Sequence, residues 1–219
     1  MAKVIVFGTA DFAQLAHFYL TNDSEHQVVA FTVHKKYLSQ SELFGLPVIA
    51  FEDIEAHFPS QDHAMFAPLS PAKMNTLREE VYSQAKAKGY TLISYISSKA
   101  TYYGTPVGDN CFIFENNVIQ PFTAIGNNVI MWSGNHFGHH STIGDHCFLS
   151  SHVVISGHVT INENCYFGVN STVSNGLTIA KHTFVGAGSL ITKNTDEFGV
   201  YRGTRSEIES VPSNRLRNI

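Results

Sequence analysis

A bulky apolar residue occupies every sixth position in the second half of the chain, without one insertion. An α-helix repeats about every 3.6 residues and a flat strand every 2, so neither explains this period. The period predicts a chain that turns a corner every six residues, with three corners closing a coil of eighteen. The ladder positions are Val107, Ile113, Ile119, Ile125, Met131, Phe137, Ile143, Leu149, Ile155, Ile161, Phe167, Val173, Ile179, Val185 and Ile191.

Small residues accompany the ladder. Glycine follows it directly at Gly108, Gly126 and Gly144, where we expect tight corners. The residue two positions before each ladder residue is mostly small, which predicts that it faces inward beside the bulky one. Three cysteines hold this second position and are separated by multiples of eighteen: Cys111, Cys147 and Cys165. We expect them on one inner wall as buried small hydrophobic residues, with a disulfide or metal role as the alternative.

The repeat resembles the hexapeptide repeat of left-handed parallel β-helix acyltransferases over about five coils. This resemblance implies an all-β left-handed parallel β-helix over residues 96–192 and favours acyl transfer. The last segment, 193–219, breaks the period, and we expect it to cap the open end of the coil. Its basic residues are Arg202, Arg205, Arg215 and Arg217.

The first 95 residues alternate strand-like and helix-like segments. Strands are predicted over 3–7, 28–33, 46–50 and 63–69, and a helix is predicted from Lys73 to Lys88. This alternation predicts an α/β domain with a small, Rossmann-like parallel sheet.

The first turn, Gly8-Thr9-Ala10-Asp11, invites comparison with dinucleotide-binding turns. It lacks two of the three glycines of the G-x-G-x-x-G motif, and no acidic residue ends the second strand. The sequence therefore argues against NAD. A helix N-terminus after a strand still favours a phosphorylated ligand, and a purely structural turn is the alternative.

Composition narrows the classes of partner. The net charge is −4 and no basic stripe is present, which argues against nucleic acid. No apolar run approaches the roughly 18 residues of a membrane helix, so we expect no membrane insertion. The chain begins without a charged and apolar leader, and we expect a cytoplasmic protein.

Histidines are frequent, at twelve in 219 residues, and the repeat sorts them by position. His146 and His182 share a column with Asn110, Asn128 and Asn164, and this column is predicted to be solvated corners. His139 lies one coil before Gly157, at about 4.8 Å by strand spacing. A general base needs open space beside it, and a glycine lets a thin ligand approach the backbone, so His139 is the candidate base. His140 neighbours His158 in the same way, and His152 could be structural or ligand-facing.

The whole chain resembles the NeuD/PglD group of bacterial sugar acyltransferases. The likeness lies in the Gly8 turn, the βαβ half-domain, the passage SYISSKA, the histidine in the third coil and the short tail. It implies transfer of acetyl from acetyl-CoA to the amine of a nucleotide-linked 4-amino-4,6-dideoxy sugar, in synthesis of a bacterial surface glycan such as the O-antigen of lipopolysaccharide. It also implies a homotrimer with sites between subunits, and no metal.

The same resemblance implies roles for individual residues. His139 would be the general base, and the N–H of Gly157 would stabilise the thioester oxyanion. The pantetheine arm of CoA would contact Gly157, Asn175, Gly176, Ala187 and Lys193. The sugar nucleotide would contact residues of both domains: Gly8, Thr9, Ala10, Thr32, His34, Lys35, His136 and His140.

Some positions depart from that group. His140 stands where an acidic residue commonly follows the base, and Phe148 stands where some members place a histidine that contacts CoA. Phe12 replaces a frequent histidine in the first turn. Three other functions stay open at this point: an O-acetyltransferase of a sialic-acid-like sugar, a zinc enzyme resembling γ-class carbonic anhydrase that uses His136, His139 and His140, and a non-catalytic scaffold.

Overall fold

The N-terminal part is an α/β layer structure. A computed structural model describes residues 1–208, 210 and 212–215. In chain order it begins with β1 (Lys3–Phe7), α1 (Asp11–Asn22), β2 (Gln27–Val33), β3 (Glu42–Leu43), β4 (Leu46–Ala50), α2 (Ile54–His57), β5 (Ala64–Phe66), α3 (Thr76–Ala87) and β6 (Thr91–Leu92). The sheet order is β3-β4-β2-β1-β5-β6, and all pairs are parallel except β3 with β4. The predicted small parallel sheet is confirmed.

Different helices cover the two faces of this sheet, and the side chains of β1 alternate between the two resulting cores. Val4 and Val6 belong to the core with the apolar face of α1, whereas Ile5 and Phe7 belong to the core with α2 and α3. The helix α3 starts three residues later than predicted, at Thr76. Lys73, Met74 and Asn75 have left-handed φ values of 52°, 53° and 68°, which interrupt a helical start.

The second part is a three-sided coil of two-residue strands, and each side is a parallel sheet. The first side, here called the docked face, comprises β7 (Tyr95–Ile96), β9 (Phe112–Ile113), β12 (Ile130–Met131), β15 (Phe148–Leu149), β18 (Tyr166–Phe167), β21 (Phe184–Val185) and β23 (Val200–Tyr201). The second, the open face, comprises β8 (Thr101–Tyr102), β10 (Val118–Ile119), β13 (His136–Phe137), β16 (Val154–Ile155), β19 (Thr172–Val173) and β22 (Leu190–Ile191). The third, the threonine face, comprises β11 (Ala124–Ile125), β14 (Thr142–Ile143), β17 (Thr160–Ile161) and β20 (Thr178–Ile179).

The register follows the predicted step of eighteen residues. Within one face, for example, His136 pairs with Val118 on one side and Val154 on the other. Ladder residues from Ile113 to Ile191 fill one core and are at most 5% exposed. The three cysteines belong to the same core and are free thiols, as predicted.

The corners of the coil depend on left-handed backbone, and they lie three residues after each ladder position. Fourteen successive corners have positive φ, and five of them are histidines: His140, His146, His152, His158 and His182. Asparagine, glycine and histidine are among the residues that best tolerate this conformation, which accounts for much of the histidine content. The prediction that Gly108, Gly126 and Gly144 form these corners is wrong. These glycines instead allow close approach of coils, since a β-carbon on Gly108 would lie 2.7 Å from the backbone N of Asn127.

The N-terminal part docks on the coil through α3 and the buried Arg78. The Arg78 guanidinium donates to Asn128 Oδ1 at 3.2 Å and to the carbonyls of His146 and Cys147 at 2.8 and 3.1 Å. The column of corners that contains Asn128 and His146 is therefore not solvated here, and that prediction is wrong. Asn128 is fully buried and the His146 side chain is 13% exposed. Burial lowers the pKa of His146.

The segment after the repeat continues the docked face for one strand, because β23 pairs in parallel with β21. Arg202, Arg205 and Arg215 are exposed, and Arg217 lies outside the described residues. Among the described residues, each helix is too short or too polar to cross a lipid bilayer.

Candidate active site

His139 lies just after β13, where the open face turns toward the threonine face. Its side chain is exposed, and its backbone N–H donates to Gln120 Oε1 at 2.9 Å. The residue before it, Gly138, is fixed by close packing, since a β-carbon there would lie 2.7 Å from the backbone N of Gly157. The Gln120 side chain on the coil before and the packed backbone on the coil after therefore hold His139 at a defined point of the corner.

Gly157 lies against the His139 ring on the next coil, as the sequence predicts. A β-carbon built on Gly157 would lie 2.8 Å from Cε1 and 2.9 Å from Nε2 of His139, and 3.1 Å from Oδ1 of Asn175. The Gly157 N–H makes no hydrogen bond to any of the residues that the structure describes. The ring, the free N–H and the Asn175 amide thus meet around a residue without a side chain.

His140 is the direct neighbour of the His139 ring. The two Nδ1 atoms are 3.0 Å apart, so one of them donates a hydrogen bond to the other. The His140 ring lies between Phe122, which is tilted by 35° at a centroid distance of 4.7 Å, and His158, which is stacked on it at 4.9 Å. Phe122, His140 and His158 occupy the same corner of three successive coils and all have left-handed φ, which aligns their rings.

The group of histidines around His139 differs from the predicted one at two positions, His136 and His158. His136 is half-buried on the outer side of the open face, so it does not belong to the group formed by His139 and His140. His158 does belong to that group, because one ring nitrogen from each of the three lies within 4.8 Å of the others. The sequence shows His158 as a neighbour of His140, but nothing in the ladder marks it as part of a site.

A second feature lies in the N-terminal part, at the carboxyl ends of β1 and β2. A mostly apolar cavity of about 420 Å³ opens there. Its lining includes four residues predicted to contact a substrate, namely Gly8, Thr9, Ala10 and His34. The sequence did not single out the other prominent members of the lining: Tyr37, Leu69 and Leu77.

Two residues predicted to contact the sugar nucleotide, Thr32 and Lys35, do not line this cavity. Thr32 is fully buried in the sheet, where its hydroxyl donates to the carbonyl of Ile49 at 2.9 Å. Lys35 is exposed and is not among the lining residues, and its backbone N–H donates to Glu52 Oε2 at 2.8 Å. Glu52 Oε1 lies 3.2 Å from His34 Nδ1. A carboxylate therefore stands beside the end of β2 after all, supplied by the short 3₁₀ helix Phe51–Asp53.

Comparison with known proteins identifies the architecture. Residues 158–193 match the family model described as the hexapeptide repeat of succinyl-transferase. No curated protein sequence matches the chain significantly. Among solved structures, a mutant of perosamine N-acetyltransferase from Caulobacter crescentus, in complex with CoA and GDP-perosamine, is similar with a TM-score of 0.83, 21% identity, and coverage of 96% of this chain and 98% of that one.

Two further structures agree. The acetyltransferase domain of PglB from Neisseria gonorrhoeae has a TM-score of 0.79 at 17% identity, covering 93% of this chain and 97% of that one. WeeI from Acinetobacter baumannii AYE has a TM-score of 0.60 at 19% identity, with the same coverage. The fold is a left-handed β-helix with an α/β domain before it. The predicted fold class is thereby confirmed.

The outer surface of the left-handed β-helix differs from face to face. Phe148 on the docked face is buried under α1, with its ring 6.3 Å from that of Phe12. The open face instead exposes apolar side chains, with Val118, Val154 and Leu190 at 36, 38 and 65% exposure. The threonine face presents Ala124 on its first strand and Thr142, Thr160 and Thr178 on the three that follow.

The predicted CoA contacts lie on the later coils of the left-handed β-helix. Asn175, Gly176, Ala187 and Lys193 are all exposed, and the Gly176 N–H donates to the Gly157 carbonyl at 3.0 Å. Asn175 and Lys193 follow Gly157 at steps of eighteen residues on the His139 corner, whereas Ala187 follows β21 and lies at the corner between the docked face and the open face.

Proposed function

We propose that this chain is an acetyl-CoA-dependent N-acetyltransferase that acts on the amine of a nucleotide-linked amino sugar of the 4-amino-4,6-dideoxy type. One observation carries the proposal: the His139 ring lies against Gly157 with its Nδ1 engaged by His140. This arrangement gives one corner both a base and a free backbone donor. The likeness to CoA-bound sugar acetyltransferases supports the same reaction class.

The reaction follows from the positions of the two ring nitrogens. If His139 Nδ1–H donates to His140 Nδ1, then Nε2 carries the lone pair beside Gly157. Nε2 accepts a proton as the sugar amine attacks the thioester carbon, and the Gly157 N–H stabilises the developing oxyanion. The C–N bond forms, the C–S bond breaks, and the proton passes from His139 to the departing thiolate of CoA. His140 acts as a positioning residue in place of a carboxylate.

Two surfaces would hold the substrates. The pantetheine arm would contact Asn175, Gly176 and Lys193 at the His139 corner and Ala187 at the corner between the docked and open faces, and the exposed Arg202 and Arg205 would contact the CoA phosphates. The cavity beside Gly8 and Ala10 takes the nucleotide, since the N-terminus of α1 offers backbone N–H groups to a phosphate. The Caulobacter protein is described in complex with GDP-perosamine, a nucleotide-linked amino sugar, which supports this class of acceptor.

The assembly we propose is a homotrimer packed through the open face. Val118, Val154 and Leu190 are exposed there in one row, with His136 and Thr172 between them, and the corner with His139 borders this row. Contact between copies would cover this row and place a neighbouring subunit beside the His139 corner. Sedimentation that gives a monomer at micromolar concentration would contradict the trimer. We further propose that the enzyme works in the cytoplasm, in synthesis of a bacterial surface glycan such as the O-antigen.

The deciding experiment incubates the protein with acetyl-CoA and a panel of dTDP-, UDP- and GDP-linked 4-amino-4,6-dideoxy sugars, with thiol release as the readout. We expect release with one acceptor and its loss in His139→Asn. The matched control is His152→Asn, which replaces another exposed histidine at a left-handed corner. No release with any amino sugar would overturn the proposal, and release only with a hydroxyl acceptor would redirect it to O-acetylation.

A further inference from the structure

Three imidazoles converge on one corner of the β-helix, and they belong to His139, His140 and His158. One ring nitrogen of each lies within 4.8 Å of the other two, and all three side chains are exposed. The grouping has a structural cause: His140 and His158 stack one coil apart at an interplanar angle of 14°, and His139 meets both rings edge-on at 88°.

We infer that His139, His140 and His158 form a binding site for a divalent transition-metal ion of the zinc type. Neutral imidazole is a preferred ligand of such ions, and three protein ligands with one open position are a common arrangement. With metal–nitrogen bonds of about 2.0 Å, ligand nitrogens at tetrahedral angles lie about 3.3 Å apart. The His139 and His140 Nδ1 atoms are already 3.0 Å apart. An imidazole binds a metal ion in the plane of its ring, so the exposed His158 ring has to rotate out of its stack on His140 to complete the site.

This triad differs from the set that the sequence singles out for zinc. His136 lies half-buried on the open face and is not a member, whereas His158 replaces it. The His139 ring belongs both to this metal site and to the proposed catalytic base. If the proposed function holds, a bound metal ion therefore affects acetyl transfer. A metal ion on His139 Nδ1 leaves the ring proton on Nε2, and a protonated Nε2 accepts no proton from an amine. Metal binding would therefore switch transfer off.

Zinc alone, titrated calorimetrically into untagged, chelator-treated protein, tests the site without any substrate. We expect one ion per chain. His140→Asn and His158→Asn should each weaken binding at least about tenfold, the lower end of what loss of an outer-shell partner costs. The same change at His152, an exposed histidine at another left-handed corner, should leave binding unchanged. Equal affinity in all four proteins, or no binding by the unmodified chain, overturns the site.

The effect on transfer is a separate readout. Zinc should inhibit acetyl transfer at the concentrations at which it binds, and magnesium should not. The His158→Asn variant, with its own metal-free rate as the reference, should need at least about tenfold more zinc for the same fractional inhibition. Zinc that binds the triad without slowing transfer overturns the switching role and leaves the site. Because binding is measured without acetyl-CoA or sugar, a protein that transfers no acetyl group still decides whether the site exists.

Discussion

The imidazole of His139 lies across the α-carbon of Gly157 on the next coil, so that any side chain at Gly157 would displace it. A β-carbon there would come within 2.8 Å of the ring, and such approaches require something to move. The ring is exposed and is the part free to move, whereas the backbone of the coil is held by its neighbours. This contact gives the first of five predictions.

Gly157→Ala should fold normally and lower kcat at least about tenfold, a part of the 10²- to 10⁴-fold that a general base contributes. Steady-state kinetics and thermal unfolding check the two halves of this prediction. In a His139→Asn background the same change should cost little more, because the ring it displaces is already gone. Independent, multiplicative effects would show that Gly157 acts by another route.

His140→Asn should lower kcat about tenfold with little change in KM for either substrate, because it removes the Nδ1 atom that orients the His139 ring. Asparagine tolerates the left-handed backbone of this corner, so the fold should be kept. His152→Asn is the matched control. A change confined to KM would mean that His140 binds a substrate rather than positions the base.

Ala10→Phe should raise the KM for the sugar nucleotide without changing the KM for acetyl-CoA. Ala10 lines the cavity of about 420 Å³ and precedes α1, so a phenyl ring occupies the cavity while the helix stays intact. An equal rise in both KM values would place the nucleotide outside this cavity. Lys35→Ala is the control, since Lys35 does not line it.

Arg78→Lys should lower the free energy of unfolding by roughly 2 to 4 kcal/mol. A lysine cannot reproduce the fork that bonds Asn128, His146 and Cys147, and its charge would stay buried. Denaturant unfolding measures the loss. Arg202→Lys, at an exposed position, should change stability by less than about 0.5 kcal/mol, the usual range for surface substitutions.

Asp23 should make the fold sensitive to acid. Hydrogen bonds from Ser98 and Tyr95 hold its pKa at about 2, below the ordinary 3.8. The folded-state pKa is the lower one, so the stabilisation is complete above about pH 5 and is lost as pH falls through 3.8 toward 2. Asp23→Asn should cost about 1 to 2 kcal/mol at pH 7 and reduce the slope of stability between pH 4 and 2. Asp62→Asn, at an exposed position, should do neither.

The periodic part of the molecule could be predicted from the sequence because its contacts repeat. The eighteen-residue step predicts that Gly157 lies beside His139, and it places Cys147 and Cys165 on one wall. The left-handed corners are visible in the sequence as asparagines, glycines and histidines three residues after the ladder positions. The glycines directly after the ladder, Gly108, Gly126 and Gly144, recur just as regularly and wrongly suggest that the corners lie there.

The docking of the two parts could not be predicted in this way. In the sequence, Arg78 is indistinguishable from a solvent-exposed polar residue of an amphipathic helix. Only the folded chain brings it to Asn128 and the carbonyl of His146. The burial of His146 follows from that contact. Thr32 illustrates the same limit, since its hydroxyl is used by the neighbouring strand and not by a ligand.

The left-handed corners also restrict how this molecule can acquire chemistry. Each edge of the prism accepts few side-chain types without strain, and histidine is one of the few that carries a reactive ring. Five of the fourteen corners already hold one. A single codon change from asparagine to histidine places an imidazole at a fixed corner with a neighbour on every coil, and this corner faces solvent on the two edges that the N-terminal part leaves uncovered. New reactive groups can therefore arise on such a scaffold by small steps that leave the backbone unchanged.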